Sequence, residues 1–427
     1  MPLPDSLEPL LDRITEAAEV LNLPLYVVGG FVRDLMLGKV NLDLDMVVEN
    51  RVFDLVAELV SSYGGEVQYH QKFGTATWFL PAPESGWPLT IDFATARTEV
   101  YPEPAILPVV TPSTIERDLF RRDFTINALA LRISPPPLHL LDLYHGDSDL
   151  RHGLIRVLHD RSFIDDPTRI FRAVRYEQRF NFQIESHTLN LLLSALIFIP
   201  RLTGERIRHE FDMIFAEAAP ERALRRFDGL NILTHANSAL AFDETLASAF
   251  ESSRILLDRA SPESGWRSLT IEKPLVYWAL LGSRLDAKQA VSVSKSLALS
   301  RPQTEALEQG TRTQRCLAAL AGAEYPSQVD AAISQFTPTS AALVAYWALA
   351  TDDHTRHKIA TYATTWRYVQ PALNGDDLKR MGLPPGKLFG TLLRQLRSAR
   401  LDGKLTTEDD ERAFVRRVLE NAADQDA

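Results

Sequence analysis

The spacing of apolar residues predicts that the front of the chain alternates between helices and strands. Apolar side chains recur every three or four positions over residues 6–22, which is the spacing of one face of a helix. The apolar run over residues 25–28 predicts a short buried strand, which ends at Gly29 and Gly30. Residues 31–37 return to a helical pattern. The chain therefore turns sharply from a strand into a helix at the two glycines.

Further strands follow, and then the pattern changes. Leucine and methionine alternate with two aspartates over residues 41–48, which predicts a strand with one polar face. The next segments predict a helix over residues 51–62 and strands over residues 66–71, 75–80 and 89–94. From about residue 124 the pattern is helical to the end. We therefore predict an α+β fold, with a head of about 150 residues followed by an all-helical remainder.

The overall charge is negative, but basic residues are concentrated in two segments. The 427 residues include 46 Lys and Arg and 56 Asp and Glu, and the net charge of −10 excludes a uniformly basic surface. Residues 1–150 contain 10 basic and 22 acidic residues, whereas residues 151–230 contain 13 arginines and 11 acidic residues. Residues 376–400 contain 6 basic and 2 acidic residues. The acidic front suits a cation site and the basic segments suit a polyanion, although solvated helix faces are the alternative.

Cysteine content and hydropathy indicate the compartment. The single cysteine, Cys316, excludes a disulfide partner and a cysteine-based zinc site. The longest apolar stretches are well short of the roughly 20 residues that a membrane span needs. The N-terminal residues lack the pattern of a signal peptide. We therefore expect a soluble, cytoplasmic protein that does not associate with membranes; the sequence does not indicate its oligomeric state.

The turn at Gly29 and Gly30 is a candidate phosphate site. Glycines allow backbone amides to approach a phosphate closely, and the start of a helix favours negative charge. Arg33 follows one helical turn later and can add a charged fork. The alternative is a tight turn with no functional role.

Two carboxylates on one face of a strand predict a magnesium site. Asp43 and Asp45 are two residues apart and would repel each other without a cation. Two magnesium ions can activate an attacking hydroxyl and stabilise a leaving pyrophosphate. Asp92, an acid in an apolar strand, is a possible third carboxylate, or it pairs with Arg97. A solvent-facing acidic strand is the alternative for the first two residues.

Two arginine-rich segments can bind a nucleotide. The segment Arg121-Arg122-Asp123, at a predicted helix start, can hold phosphate and a ribose hydroxyl, or Asp123 can simply cap the helix. In the segment of residues 165–175, Asp166 and Arg169 are neighbours on one helix face. Their acceptors and donors can match the Watson–Crick edge of a base. The alternative is a salt bridge between them.

Taken in order, these segments resemble the class II tRNA nucleotidyltransferases, the CCA-adding enzymes, and the related bacterial poly(A) polymerases. The similar blocks are residues 27–38 with Asp43 and Asp45, residues 121–130, 142–150 and 165–175, residues 205–210, and residues 374–386. The similarity is nearly continuous over residues 25–215 and recurs at about 371–410. One position departs from the family pattern: Asp165 stands where the family usually has a glutamate that braces the base-reading arginine.

The resemblance implies a domain organisation and a set of site residues. It implies a polymerase-β-like head with a mixed sheet (1–150), a nucleotide-selecting helical neck (151–215), a helical body (216–370) and a helical tRNA-binding tail (371–427). Asp43 and Asp45 would carry two Mg²⁺ ions for catalysis. The implied nucleotide-binding residues are Gly29, Gly30, Arg33, Arg122, Asp123, Asn127, Asp166, Arg169, Arg172 and Arg175. CTP and ATP would be the substrates and tRNA the partner. The RNA-binding candidates are Lys379, Arg380, Lys387, Arg394 and Arg397.

Sequence features also favour one activity within the family. The CC-adding enzymes typically lack a loop that is present here at residues 98–117, which favours an enzyme able to add A. Residues 70–75 lack the basic Gly-Arg-Arg-Phe-like block usual in bacterial poly(A) polymerases. We therefore expect full CCA addition, with an A-adding enzyme of a split CC and A pair, or a poly(A) polymerase, as alternatives. A non-catalytic RNA-binding relative would have lost Asp43 or Asp45, and both are present.

Overall fold

The strands predicted for the front of the chain belong to one mixed sheet, and the predicted helices lie beside it. The computed structural model describes residues 4–39, 41–81, 87–259, 266, 269, 271–383 and 387–423. Within it, the chain divides into two compact units, residues 1–206 and residues 207–427. The predicted boundaries at residues 150, 215 and 370 are finer than this division and stay predictions.

The first unit contains all the strands of the described residues. These strands are β1 (Leu25–Val28), β2 (Asp45–Val48), β3 (Glu66–His70), β4 (Thr75–Phe79), β5 (Thr90–Thr95), β6 (Arg97–Val100), β7 (Val109–Pro112), β8 (Ala130–Ser134), β9 (His139–Leu141), β10 (Leu154–Ile155) and β11 (Gln183–Ile184). Its helices are α1 (Glu8–Val20), α2 (Gly30–Met36), α3 (Val52–Tyr63), α4 (Ile115–Phe120), α5 (Gly146–His152), α6 (Ser162–Asp165), α7 (Thr168–Phe180) and α8 (Ser186–Ala195).

Seven of these strands make one sheet in the order β3-β4-β5-β2-β1-β8-β9. Only the β2–β5 pair is parallel, so the predicted mixed sheet is confirmed. Strand β1 lies inside the sheet and is buried along its whole length, as its apolar sequence predicts. The turn at Gly29 therefore leaves the sheet next to β2, which begins with Asp45.

The prediction that the chain is helical from residue 124 onward is wrong for the first unit. Strands β8 and β9 extend the sheet, and β10 pairs with β11. Residues 128–131 are all apolar and buried. A short apolar run of this kind fits a buried strand and a buried helix equally well, because neither leaves a polar face to show the periodicity. Strand β2 is also shorter than predicted, since it begins at Asp45 rather than at residue 41.

The second unit is helical throughout its described residues, as predicted. Helix α9 (Gly204–Phe215) begins three residues before the division between the units. The helices that follow it are α10 (Pro220–Gly229), α11 (Ile232–Ala236), α12 (Glu244–Arg259), α13 (Lys273–Gly282), α14 (Ala287–Ser296), α15 (Arg301–Gly310), α16 (Thr313–Ala321), α17 (Pro326–Ser334), α18 (Ser340–Leu349), α19 (Asp353–Thr364), α20 (Gly375–Arg380), α21 (Lys387–Leu401) and α22 (Glu408–Ala423). Helix α18 is apolar on nearly every side and is buried at eight of its ten positions. None of the described helices has the length and hydropathy to cross a membrane.

The backbone at Gly146 lies very close to a neighbouring carbonyl of the first unit, and alanine there is expected to destabilise the protein. A Cβ atom on Gly146 would lie 2.3 Å from the carbonyl oxygen of Thr125. Because a backbone atom cannot yield as a flexible side chain can, we expect Gly146→Ala to lower the free energy of unfolding by about 3 kcal/mol. Urea unfolding measures the change. Gly229→Ala is the matched control, since nothing lies within 4 Å of its added Cβ. Equal losses in the two variants would contradict the expectation.

Candidate active site

Two rows of side chains cross one face of the sheet and form the floor of a cavity of about 480 Å³. Asp45 of β2 is in register with Asp92 of β5, which is in register with Thr77 of β4. The next row contains Val47, Ala94, Thr75 and His70, from β2, β5, β4 and β3 respectively. Residues in register on neighbouring strands project to the same face of a sheet. The other lining side chains include Arg97, Arg121 and Arg122.

Asp92 lies beside Asp45 and does not pair with Arg97. Its Oδ1 accepts a hydrogen bond from the Thr77 hydroxyl (2.6 Å), whereas Arg97 pairs with Glu99 at 3.3 Å. Asp92 therefore lies next to Asp45, and its role as a third carboxylate stays a prediction. Asp43 precedes β2, and its backbone amide donates to Oδ1 of Asn41 at 2.9 Å. Asp45 and Asp92 thus line the cavity, and Asp43 is close enough to act on the Asp45 carboxylate.

The electrostatics of this group favour a bound cation. Desolvation of its carboxyl group, together with the neighbouring Asp43 and Asp92, raises the pKa of Asp45 to about 6, although Arg122 opposes the shift. Within the described residues, no three His, Cys, Asp or Glu side chains are arranged to hold a metal by themselves. Magnesium is commonly bound by one or two carboxylates together with substrate phosphates. Asp43 and Asp45 fit that role once a nucleotide supplies the remaining ligands.

This raised pKa predicts a pH-dependent stability difference. The pKa of Asp45 lies above the unfolded value of 3.8, so ionisation of its carboxyl group costs stability. That cost is fully present above about pH 6 and is absent below pH 3.8. We therefore expect Asp45→Asn to have a larger free energy of unfolding than the parent at pH 8. This difference in the free energy of unfolding should vanish towards pH 4. Mg²⁺ should raise the melting temperature of the parent but not that of the variant.

The control for this measurement is the exposed Asp12→Asn, which removes a carboxylate far along the chain from the cavity. Chemical unfolding across the pH range gives the stabilities, and thermal melts give the response to Mg²⁺. An Asp45→Asn variant no more stable than the parent at pH 8 would contradict the electrostatic account.

The turn at Gly29 and Gly30 holds two arginines close to the backbone. Gly29 has a φ of 69°, and a Cβ atom there would lie 2.7 Å from a guanidinium nitrogen of Arg122. Arg122 donates to Oδ2 of Asp118 (3.0 Å). Arg33 is buried and donates to Oδ1 of Asn127 at 2.6 Å and to Asp34. Glycine is therefore needed at position 29 for its backbone conformation, and the missing Cβ leaves room for the Arg122 guanidinium.

Asp123 joins the head segment to α7. Its carboxylate accepts from the side-chain amide of Asn127 at 2.9 Å and from two nitrogens of Arg172 at 2.8 and 2.5 Å. Asp123 is buried, but Arg172 and Asn127 offset its desolvation and lower its pKa to about 2. The predicted helix start at Arg121 is not present, since only a 3₁₀ turn over Thr125–Asn127 follows. Asp123 therefore connects side chains of two segments rather than capping a helix.

The salt bridge between Asp166 and Arg169, the alternative to base reading, is not present in the structure. Oδ1 of Asp166 accepts from the Thr168 backbone amide (3.1 Å), the Thr168 hydroxyl (2.6 Å) and Arg206 (2.6 Å). Arg169 is buried and donates to the Ser162 hydroxyl at 2.7 Å and to the carbonyl of Arg121 at 2.6 Å. Asp165 pairs with Arg161 at 2.9 Å. The bracing of Arg169 therefore comes from Ser162 and the Arg121 backbone rather than from Asp165.

Aromatic rings of helix α7 hold the predicted nucleotide-binding arginines Arg172 and Arg175, and also Arg33. Arg172 and Arg175 both lie over the ring of Tyr176, at 5.5 and 5.0 Å from its centre. Arg33 lies 4.7 Å from the centre of the Phe180 ring. Aromatic faces hold guanidinium groups in place without neutralising them. The structure thus brings the predicted nucleotide-binding residues of the head and of α7 into one part of the first unit.

Four of the five predicted RNA-binding residues of the tail have partners within the protein. Lys379 pairs with Asp376 (3.0 Å) and Arg380 with Asp377 (2.6 Å). Arg394 donates to the Thr391 hydroxyl (3.2 Å), and Arg397 pairs with Asp330 (2.6 Å). The side chain of Lys387 lies outside the described part of the chain. The RNA-binding role of these residues stays a prediction.

Sequence reasoning missed Asp118, which orients two of the arginines. Asp118 is fully buried and accepts from Arg121 (2.7 Å) and Arg122 (3.0 Å). These arginines lower the pKa of its carboxyl group against the desolvation that would raise it. The spacing of three and four residues between Asp118 and the arginines was a usable signal, because side chains so spaced meet on a helix.

The front of the chain matches known polymerase segments. Residues 25–156 match the family described as the Poly A polymerase head domain, and residues 181–263 match the one described as a probable RNA and SrmB-binding site of polymerase A. The first unit thus contains a segment similar to the head domain of poly(A) polymerases, which are nucleotidyltransferases.

Comparison with individual proteins gives the family. The chain is 31% identical to an A-adding tRNA nucleotidyltransferase of Halalkalibacterium halodurans, over 95% of this chain and 91% of the relative. A Geobacter sulfurreducens protein of the same description is 33% identical over 98% of this chain, which spans only 48% of that relative. The chain belongs to the tRNA nucleotidyltransferases, a family of enzymes.

Solved structures agree over nearly the whole chain. A CCA-adding enzyme in an apo form superposes with a TM-score of 0.85 and 30% identity, covering 97% of this chain and 96% of the other. A Thermotoga maritima CCA-adding enzyme complexed with tRNA has a TM-score of 0.79 and 30% identity, covering 98% and 96%. A CCA-adding enzyme with ATP gives 0.82 at 30% identity, covering 98% and 96%. The fold class is therefore confirmed.

Proposed function

We propose that this chain extends the 3′ end of tRNA with nucleotides from CTP and ATP, without a nucleic-acid template. The observation that carries the proposal is the cavity, where Asp45 and Asp92 lie side by side and which is also lined by Arg122, whose guanidinium lies close to Gly29. Similarity over nearly the whole chain to tRNA nucleotidyltransferases, one of them complexed with tRNA, supports tRNA as the partner.

The reaction is an in-line displacement at the α-phosphate. The RNA 3′-hydroxyl oxygen forms a bond to the α-phosphorus, the bond from that phosphorus to the bridging oxygen of the β-phosphate breaks, and pyrophosphate leaves with the hydroxyl proton released. Two Mg²⁺ ions, held by Asp43 and Asp45, would lower the pKa of the hydroxyl and neutralise the leaving pyrophosphate. Arg122 and the backbone at Gly29 and Gly30 bind the triphosphate.

The neck residues then select the base. Oδ1 of Asp166 is occupied by three hydrogen bonds, while Oδ2 has no partner among the described residues. Arg169 uses two of its five N–H donors on Ser162 and the Arg121 carbonyl. The carboxylate and guanidinium are thus held in fixed positions and keep an acceptor and donors for a base edge. Protein side chains of this kind replace a template.

Complete CCA addition is the first candidate within this function. The loop that CC-adding enzymes typically lack is present here and forms a hairpin of β6 and β7. Solved structures of CCA-adding enzymes match nearly the whole chain. Addition of the terminal A alone is the second candidate, because the two relatives described above carry that name. Both candidates require the chain to add A to a tRNA that ends in CC.

Addition of A to a tRNA that ends in CC, the step that both candidates share, tests the proposed function. Purified protein is incubated with Mg²⁺, a tRNA transcript that ends in CC, and ATP labelled at the α-phosphate. We expect one labelled nucleotide per tRNA and one equivalent of pyrophosphate. A transcript that already ends in CCA is the control and should take up no label. Failure to label the CC-ended transcript would contradict the proposal.

A further inference from the structure

One face of the β3–β4 hairpin is polar and continues the floor of the catalytic cavity. Gln68 of β3 is in register with Thr77, and His70 is in register with Thr75. These four side chains extend the two rows that begin at Asp45 and Val47. The opposite face of the hairpin contains the buried Ala76 and Trp78.

This polar face is not explained by packing. Gln68 is exposed and His70 is partly exposed, and β3 is the last strand at its edge of the sheet. On the apolar side, by contrast, Tyr69 packs edge to face on Phe53 of α3, with ring centres 5.5 Å apart. Half-buried antiparallel strands commonly have one polar face. Here, however, His70, Thr75 and Thr77 of that face line the cavity beside Asp45 and Asp92, and Gln68, in register with Thr77, is exposed next to them.

The order of strands separates this face from the nucleotide-binding residues. Strand β2, with Asp45, lies between β5, β4 and β3 on one side and β1 and β8 on the other. Gly29 and Gly30 follow β1, and Asn127 precedes β8. The candidate triphosphate site is therefore on the β1 side of Asp45, while His70 and Gln68 are on the β5 side.

In-line transfer requires the two reacting oxygens to lie on opposite sides of the α-phosphorus. If the leaving pyrophosphate is on the β1 side, the attacking hydroxyl approaches from the β5 side. We propose that the 3′-terminal nucleotide of the RNA lies across β4 and β3, with His70 and Gln68 contacting its sugar and the phosphate before it. This inference rests on the proposed function, since it requires an RNA end as the acceptor.

The chemistry of the face fits an acceptor whose last base changes. The imidazole of His70, the amide of Gln68 and the hydroxyl of Thr75 can donate to and accept from sugar hydroxyls and phosphate oxygens. Contacts to sugar and phosphate position a nucleic acid without reading its sequence. An enzyme that adds one nucleotide after another must accept a different 3′-terminal base at each step. His70 and Gln68 are thus positioning residues for the acceptor.

Cross-linking tests the location directly. A tRNA transcript with 4-thiouridine as its 3′-terminal nucleotide is bound to the intact protein with Mg²⁺ and a non-hydrolysable ATP analogue, irradiated and digested. We expect the cross-linked peptide to come from residues 66–81. A cross-link confined to α7 or to the second unit would overturn the proposal.

Kinetics test the roles of the two side chains. His70→Ala and Gln68→Ala are compared with Tyr69→Phe, which alters the apolar face of the same strand. At saturating ATP and a CC-ended tRNA, we expect each alanine variant to reduce the single-turnover rate about tenfold, as for the loss of one hydrogen bond. The KM for ATP should stay within about twofold of the parent, and Tyr69→Phe should match the parent.

The outcomes separate this inference from the proposed function. A raised KM for ATP with an unchanged single-turnover rate would place His70 at the nucleotide rather than at the acceptor, and would overturn the inference. Unchanged kinetics in both alanine variants would also overturn it. A parent protein that adds no nucleotide to the CC-ended tRNA would instead remove the proposed function.

Discussion

Replacing Asp43 or Asp45 by alanine is expected to reduce nucleotide incorporation about a thousandfold or more. Each change removes a carboxylate that would hold Mg²⁺, and metal stabilisation of transferring phosphate groups is worth several kcal/mol. A loss of about 4 kcal/mol in transition-state stabilisation corresponds to about a thousandfold in rate. Single-turnover addition of A to a CC-ended tRNA measures the loss.

Binding of tRNA should survive both changes, because these carboxylates act on the reacting phosphate and not on the RNA duplex. Filter binding or fluorescence anisotropy with the labelled tRNA measures the affinity, which should fall with added salt as phosphate contacts are screened. Asp12→Ala removes an exposed acid elsewhere in the first unit and serves as the control. Near-normal turnover in either Asp43→Ala or Asp45→Ala would remove that residue from the mechanism.

Replacing Arg169 by alanine is expected to have the second largest effect, on the choice of nucleotide. Arg169 is braced by the Ser162 hydroxyl and the Arg121 carbonyl, so its remaining donors have a fixed direction. A good bidentate contact to a base edge discriminates by about 1–3 kcal/mol. We therefore expect the preference for ATP over GTP and UTP to fall by about tenfold to a hundredfold. Competition between nucleotides on a CC-ended tRNA measures this preference.

Two further variants test whether the loss of nucleotide selectivity comes from the Arg169 guanidinium and from its hydrogen bond to Ser162. Arg161→Ala removes the exposed arginine that pairs with Asp165, and it should leave selectivity unchanged. Ser162→Ala removes one brace of Arg169 and should weaken selectivity less than Arg169→Ala does. An Arg169→Ala variant with the selectivity of the parent would contradict base reading by this side chain.

The periodicity of the sequence predicted the head well where elements have one polar face. Strand β3 and strand β4 match their predicted bounds to within one residue, because alternation of polar and apolar residues is unambiguous on a half-buried strand. Strand β8 was missed because residues 128–131, which lead into it, are all apolar and buried, so that its polar positions begin only at Arg132. The helical second unit was predicted from the same spacing rule.

The candidate site could be predicted only in part, because its geometry depends on contacts between distant residues. The spacing of Asp43 and Asp45 indicated a shared face, but the register of Asp92 against Asp45 is set by the pairing of β2 with β5. Similarly, Asp123 and Arg172 are 49 residues apart, and no local pattern indicates their ion pair. The partner of Asp166 proved to be Arg206, 40 residues away, rather than its near neighbour Arg169.

The central claim is that this chain adds specific nucleotides to tRNA without a template, and stops. The most direct measurement uses three labelled tRNA transcripts that end before CCA, after the first C and after CC. Each is incubated with the protein, Mg²⁺, and CTP or ATP singly and together, and the products are resolved to single nucleotides. We expect all three transcripts to reach CCA and stop when both nucleotides are present. Extension of the CC-ended transcript alone, by one A, would identify an A-adding enzyme instead. Long tracts of A, or no extension of any transcript, would contradict the account.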